Sequence, residues 1–548
     1  MSLELYAQAA PPDRLCLWVG AFNRLNPPVL TWRFREGHVD ARPLQPALPN
    51  ALRPLASVRR DAAQILPNKQ ARAFTGIYEF AGLQPNTRYT VEVTDDSNNR
   101  AQLRTHTLPA AVPDAPGETF NVLLVSCFHL ETDKGGLAGQ IVKSLPQVSR
   151  PHLTLLLGDQ VYLDLPTEQD FPDDLAWLAD KFEHDYVANW QAAQSAPTGY
   201  ANVLEIAPYV CIPDDHEYWN NFPHTSPFIG NTIRADGRAH WRTAARTIYE
   251  GFQLPWYKNI NTPAPPAPLR LGDAVELDVP PLSFLLADTR TFRGEDFTGP
   301  LARDPAAGQD ALQQLRAWIQ RITDVNQPGG TGRWLGVIAT GQSLFGEPAR
   351  GLGDKFSRAV GDYELADYTD YREIVAELVK PSATGRPLLC LTGDVHWGRA
   401  MAARELDLVR GGRDIIYEII SSPAALVKNV LSDRPRSLWA RVSGVFGPKN
   451  PWPLHDDPAK PPEFFAPQVL GRRFECGQPS PFQPQNPFAF GLAEHPLPYL
   501  QKGNHVTLLT FRRSAGGLEL RITYWPITRE SGLGQPQQVK PQSLTIKV

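Results

Sequence analysis

Leu155-Leu156-Leu157-Gly158-Asp159-Gln160-Val161-Tyr162 runs from an apolar strand straight into metal-type ligands. A strand buried on both faces explains the first half. Glycine then lets the chain turn directly after the strand, and a carboxylate projects from the sheet edge. Three further stretches share the design: Val122-Leu123-Leu124-Val125-Ser126-Cys127-Phe128-His129, Val210-Cys211-Ile212-Pro213-Asp214-Asp215-His216-Glu217 and Leu388-Leu389-Cys390-Leu391-Thr392-Gly393-Asp394-Val395-His396. Singly, each has a bland alternative: Asp159 as a helix cap, Cys127 as a packing thiol, Asp214 to Glu217 as a solvated loop. Jointly, those alternatives would have to coincide at four strand ends far apart in sequence. Ligands of open α/β sheets bind outside the carboxyl ends of strands, so the pattern predicts one divided catalytic centre there.

The chain has 548 residues, which favours two or more domains. Its formal net charge of −4, with 20% charged and 42% hydrophobic residues, is a globular balance without a nucleic-acid footprint or a polybasic membrane patch. The 53 prolines exceed the usual share and predict much ordered, irregular loop. The start, Met1 to Leu15, lacks the basic and apolar regions of a signal peptide. No stretch approaches the ~18 apolar residues of a membrane span. The five cysteines are widely spaced, and Cys211 and Cys390 sit inside apolar runs, so no disulfide framework is expected. These features suggest a cytoplasmic protein.

Residues 1–110 read as a β domain. Strands are expected at 15–19, 29–34, 76–80 and 88–93, with turn residues between. Leu83 to Tyr89 resembles the corner of fibronectin type III domains, in which a tyrosine hydroxyl bonds back to the backbone. A proline-bearing linker follows at 111–119. From about 120 strands alternate with helices: strands at 121–126, 153–157, 282–287 and 334–339, helices at 309–322 and 370–379, and a closing hairpin from 506–511 and 518–525. The proline-rich stretch 451–500 is also rich in aromatics, which reads as an extended arm over the body or a lid on the site.

The residue types suit metals. Tyr162 lies three positions after Asp159, and a phenolate is a hard donor suited to a ferric ion. Asp214, Asp215 and Glu217 crowd around His216, a cluster that repels itself unless a cation or a basic group neutralises it. Asp394 and His396, at i and i+2, share one side of an extended backbone.

In their order these stretches resemble calcineurin-like metallophosphatases, and within them the PhoD-like (alkaline phosphatase D) enzymes, whose motifs read Ser-Cys, Gly-Asp-x-x-Tyr, Asp-Asp-His-Glu and Gly-Asp-x-His. Asp288-Thr289-Arg290-Thr291-Phe292-Arg293 resembles a further motif of that family. The resemblance spans about 120 to 425. It implies an α/β fold, a sandwich of two mixed β-sheets flanked by helices, over residues 120–548. A fibronectin III/Ig-like β-sandwich would precede it.

The resemblance also implies a two-metal centre. Asp159 would bridge both ions. Cys127, Tyr162 and His396 would hold the first, and thiolate with phenolate favours Fe3+. Asp215 and Asp394 would hold the second, where the wider superfamily has Asn and His. Carboxylate oxygen there favours Ca2+, Mn2+ or Mg2+ over Zn2+. His129 stands where the wider superfamily has its first histidine; it is read as a neighbour of the centre, and the alternative is a metal ligand that makes Tyr162 redundant and suits zinc or ferrous iron. No middle histidine is evident, and Gln342 of Thr340-Gly341-Gln342, or water, would take its place.

The implied activity is phosphate-ester hydrolysis of a small phosphorylated substrate by a metal-activated hydroxide. His216 is the expected general acid, its imidazolium favoured by Asp214 and Glu217. Arg290 or Arg293 either reaches the substrate or pairs with Asp288. A phosphodiesterase, including phospholipase-D-like action, is the alternative with the same centre. A non-catalytic binding protein on a degenerate scaffold is the alternative of another class.

Overall fold

A computed structural model describes residues 2–36, 39–40, 53–54, 72–133, 135–165, 171–191, 199–226, 229–261, 270–304, 309–326, 334–344, 363–394, 396, 398–405, 413–425, 474–476, 499–501, 503–514, 517–527 and 542–547. Most of the proline-rich arm expected at 451–500 lies outside the described residues.

Strands β1 (Ser2–Gln8), β2 (Arg14–Arg24), β3 (Leu30–Glu36), β4 (Arg72–Ala81), β5 (Arg88–Asp95) and β6 (Arg100–His106) open the chain. Burial in β5 alternates, with Tyr89, Val91 and Val93 inward and their neighbours outward, the period of a strand with one covered face. β2 pairs with β1 and β4, and β5 pairs with β3 and β6. Leu5, Leu17, Phe34, Phe80 and Val91 fill the space between the two layers. The Tyr89 hydroxyl accepts a hydrogen bond from the Gln84 amide at 2.9 Å.

These layers do not stand apart from the rest. The outer face of β1 and β2 carries Tyr6, Trp18 and Phe22 into the main core. There Trp18 and Phe22 meet Phe252, the last residue of the helix Ala235–Phe252. Trp18 Nε1 also donates to the Gly251 carbonyl at 2.8 Å. The 1–15 segment, which sequence reading weighed only as a leader, supplies β1. Gln8 pairs in parallel with Tyr209, so β1, β2 and β4 continue the first large sheet of the body as one sheet.

The body adds β7 (Phe120–Val125), β8 (Leu153–Leu157), β9 (Tyr209–Ile212), β10 (Val275–Val279), β11 (Leu282–Ala287), β12 (Leu335–Thr340), β13 (Leu388–Thr392), β14 (Gly398–Glu405), β15 (Arg413–Ile420), β16 (His505–Ser514), β17 (Gly517–Pro526) and β18 (Gln542–Lys547). β7, β8 and β9 run parallel, with β16 antiparallel beside β7, so the closing hairpin and β18 extend this sheet on one side and β1, β2 and β4 extend it on the other. β11, β12, β13 and β15 run parallel in the second sheet, with antiparallel β10 and β14 at its flanks. Every residue of β7, β8, β9, β11, β12 and β13 is buried. Such strands need near-continuous apolar runs, which is why these blocks were legible.

Helices Ala311–Asn326 and Tyr371–Leu378 cover the second sheet, where Leu315, Trp318, Ile319 and Val375 pack on Leu285, Ile338 and Cys390. The fold is therefore mixed α/β with two mixed sheets. Among the described residues no helix is long and apolar enough to cross a membrane.

The two sheets are stitched at one edge by residues 421–425, which follow β15. Ser126 Oγ donates to the Ser421 carbonyl at 2.8 Å, and Ser421 Oγ donates to the Leu124 carbonyl at 3.0 Å. The Ala424 and Ala425 amides donate to the Ser126 and Cys127 carbonyls at 2.9 and 3.1 Å. The carboxyl ends of β7, β8, β9, β12 and β13 thereby meet in one place.

Candidate metal centre

Asp159 is the hub. It is fully buried at the end of β8 and shares three clusters of possible ligand atoms: with Cys127 and His396, with Asp215 and His216, and with Asp214, Asp215 and Asp394. Within each cluster the atoms lie within 4.8 Å of one another. The Cys127 thiol donates to Asp159 Oδ2 at 3.3 Å and receives the Ser422 hydroxyl at 3.0 Å. The same Ser422 oxygen accepts the His396 amide at 3.1 Å.

The backbone is held out of its comfortable range here. Cys127, Asp159, Asp394 and His396 all have positive φ, from 52° to 63°. Among the described residues the other non-glycine cases are asparagines, which tolerate the region, and Phe297. Each costs of order ~1–3 kcal/mol, and such strain clusters at functional sites. Close loop packing enforces it. A Cβ on Gly158 would fall 2.5 Å from Asp214 Cβ, and one on Gly393 would fall 2.1 Å from the Leu157 carbonyl oxygen. Gly393→Ala should therefore destabilise the fold by at least the ~1–3 kcal/mol typical of overpacking. An unchanged midpoint in denaturant unfolding would contradict that packing.

Glu217 ties two ligand loops together. Its carboxylate accepts the amides of Asp159, Gln160 and Asp214 at 2.9, 2.7 and 2.8 Å. Burial pushes it up to about 7 in spite of those bonds. It acts on the backbone and so does not serve as the counter-charge to His216 that the sequence suggested. The partner of His216 is Asp164, whose Oδ1 lies 2.8 Å from Nδ1. Burial alone would pull the imidazole down, but Asp164, Asp215 and Asp159 outweigh it and hold His216 well above its usual range. Asp164 escaped the sequence reading because an irregular turn, not a strand, delivers it. Its one signal is its place two residues after Tyr162.

Tyr162 is buried and its hydroxyl has no hydrogen-bond partner in the structure. Its ring lies 4.1 Å from that of His216 and edge-on to His129 at 5.5 Å. Burial, then Cys127, Asp159 and Asp215, raise the phenol well above its usual range, so it sits close to the cluster's charges. His129 belongs to none of the three clusters, and its Nδ1 is buried without a partner.

Arg290 is wholly buried and pairs with Asp214, Nε to Oδ1 at 2.6 Å. Asp288, the partner the sequence suggested, instead accepts the Arg290 and Thr291 amides at 3.0 and 2.9 Å. Arg293 donates to Gln342 Oε1 at 2.6 Å, and Gln342 Nε2 donates to Asp394 Oδ2 at 3.2 Å. Gln342 thus holds a ligand candidate in place by its amide. The backbone N–H of Asn221 likewise donates to Asp215 Oδ2 at 2.7 Å.

The cluster fits a cation. Burial, with Asp215, Asp214 and Glu217, pushes the Asp159 carboxyl well above its usual range, although His216 opposes this. Burial, Asp159 and Asp394 likewise raise the Cys127 thiol. Asp214 Oδ2 and Tyr162 Oη are buried acceptors without partners. Positive charge at Asp159 would relieve all of these together.

Known proteins agree with this architecture. No family profile and no curated protein matches the sequence. Among solved structures, that of PhoD superposes with a TM-score of 0.54 at 14% identity, covering 95% of this chain and 85% of its own. Purple acid phosphatase PPD1 from yellow lupin (Lupinus luteus) seeds superposes at 0.50 and 12% identity, covering 100% of this chain and 74% of its own. Both are calcineurin-like metallophosphatases.

The chain has the metallophosphatase fold. At these identities the likeness establishes architecture alone. Within the metallophosphatase fold the structure brings Cys127, Asp159, Tyr162, Asp214, Asp215, His216, Asp394 and His396 together past the carboxyl ends of strands from both sheets. Sequence reading missed Asp164, Glu217's backbone role, Asn221 and Ser422.

Proposed function

We propose that the chain is a metal-dependent phosphoesterase with a two-cation centre bridged by Asp159. The convergence of three ligand clusters on that one carboxylate is the observation that carries the reading. Cys127, Tyr162 and His396 would hold one ion, with Fe3+ suited to thiolate and phenolate. Asp215 and Asp394 would hold the other, with Ca2+, Mn2+ or Mg2+ suited to carboxylates. Bound there, the cations would supply Lewis acidity to phosphoryl oxygens and acidify water for attack.

The chain's own groups do the rest. Asp164 occupies Nδ1 of His216, which fixes the ring and leaves Nε2 to give a proton to the departing oxygen. His216 also falls within reach of Asp159 and Asp215. An imidazolium cannot ligate, so the surrounding carboxylates favour the acid role over a ligand role. Glu217, Asn221, Gln342 and Ser422 hold the ligand loops in a preformed arrangement. Arg290 neutralises Asp214 and has no exposed surface with which to reach a substrate.

We also read residues 1–110 as a fibronectin III/Ig-like domain on the strength of its two-layer core and the Tyr89 corner bond, with one layer continuous with the first sheet of the body. Residues 120–548 form the catalytic domain in this reading.

Comparing turnover of a chromogenic phosphate mono-ester with that of the matching di-ester tests the reaction class. The reading expects metal-dependent hydrolysis of at least one of them, abolished by chelator and restored by added cations. No turnover with any added cation would favour a binding protein instead. Tyr162→Phe tests the phenolate: a ferric ion held by Tyr162 should absorb visible light through phenolate charge transfer. That band should disappear in the variant while iron remains bound through Cys127 and His396. An iron-loaded protein with the same visible spectrum in both forms would remove Tyr162 from the ligand set.

A further inference from the structure

The opposite edge of the sheets carries a second constellation. Between the outer face of β3, β5 and β6 and the segment 147–152 lies a cavity of about 920 Å3. Asn121 and His152, at the amino ends of β7 and β8, lie in its lining, whereas Cys127 and Asp159 stand past the carboxyl ends. At about 3.3 Å per residue the cavity and the metal centre are roughly 20 Å apart along β7.

Register explains one wall. Thr90 pairs with Arg35 on one side and Arg104 on the other, and Arg88 pairs with His106. Phe34, Tyr89, Leu103 and Thr105 are buried within the layers, so Arg35, Arg88 and Arg104 all stand on the outer face. Arg150 lines the facing wall. Four arginines thus line the cavity against one acid, Glu118, on a chain whose net charge is −4. Among the described residues no carboxylate pairs with Arg88, Arg104 or Arg150. Like charges gathered across neighbouring strands destabilise a sheet. Gathering them into a cleft focuses positive potential there.

The remaining lining is polar and partly orphaned. Asn121 is 1% exposed, and its Nδ2 donates to the Val148 and Arg150 carbonyls at 2.9 and 3.0 Å. Its Oδ1 has no partner. Burial lowers His106 and His152 to about 4, so the positive charge comes from the guanidiniums.

We propose that this cleft binds a small oligophosphate, a ligand with two or more phosphoryl groups. Guanidinium forks match phosphoryl oxygens in shape and charge. Arginines on both walls engage more than one such group. The inference uses no residue of the metal centre, so it stands or falls apart from the phosphoesterase reading.

Isothermal titration of the full chain with methylenediphosphonate, which resists hydrolysis, tests it. Wild type should bind, more weakly as salt rises. Binding should persist in Asp159→Ala, where the metal centre is disabled. The double variant Arg104→Ala/Arg150→Ala should bind at least tenfold more weakly, with ester turnover unchanged. Arg88→Ala provides a second, single-site variant, again with weakened binding. No binding by wild type, equal binding by the arginine variants, or loss of binding in Asp159→Ala would each overturn the proposal. So would tighter binding of a short DNA duplex than of the diphosphonate.

Discussion

Asp159→Ala is expected to lose both cations and nearly all turnover. The carboxylate belongs to all three ligand clusters, so its removal opens both halves of the centre at once. The loss should exceed the ~10–100-fold that removal of an outer-shell partner costs. Stability should respond in the other direction in metal-free protein. Asp159 is fully buried among like charges, and its burial raises its own carboxyl. Removing this buried acid from beside Asp214, Asp215 and Glu217 relieves repulsion, so the metal-free variant should unfold no earlier than the metal-free wild type. Metal content, turnover and denaturant midpoints check the three parts. A variant that keeps its metals would refute the bridging role of Asp159.

His216→Ala should keep its metals and lose turnover by ~10²–10⁴-fold on esters with poor leaving groups, the usual range for general-acid catalysis. The loss should shrink for a nitrophenyl ester, whose leaving group departs without a proton. Asp164→Asn separates orientation from charge. In the wild type the carboxylates hold His216 above its usual value, so its acid form is present below that raised pKa and is lost as pH rises through it. Removing the Asp164 charge lowers that pKa. The alkaline limb of the turnover profile should therefore move to lower pH in Asp164→Asn, with metal content unchanged. Identical profiles in the two proteins would show that Asp164 does not act through His216, and full activity in His216→Ala would remove the acid assignment.

The strand ends were legible because burial on both faces forces apolar runs, and a ligand at the end of such a run breaks the pattern visibly. β8 and its Gly158-Asp159 turn are the clearest case. β1 was not legible, because seven residues at the start of the chain carry little pattern, and their partner β2 is what makes them a strand. Asp164 and Asn221 come from irregular turns, where no periodicity marks a residue as near the site. Ser422 comes from far along the chain and reaches Cys127 only because residues 421–425 stitch the two sheets. The basic cleft was hidden for a similar reason. Arg35, Arg88, Arg104 and Arg150 are scattered in sequence, and strand register gathers the first three.

Metal stoichiometry of the wild-type chain, purified without chelator and measured by elemental analysis, tests the central claim most directly. A centre bridged by Asp159 predicts two unlike ions per chain, iron together with calcium, manganese or magnesium. A chain that holds no metal, even after incubation with those cations, would contradict it.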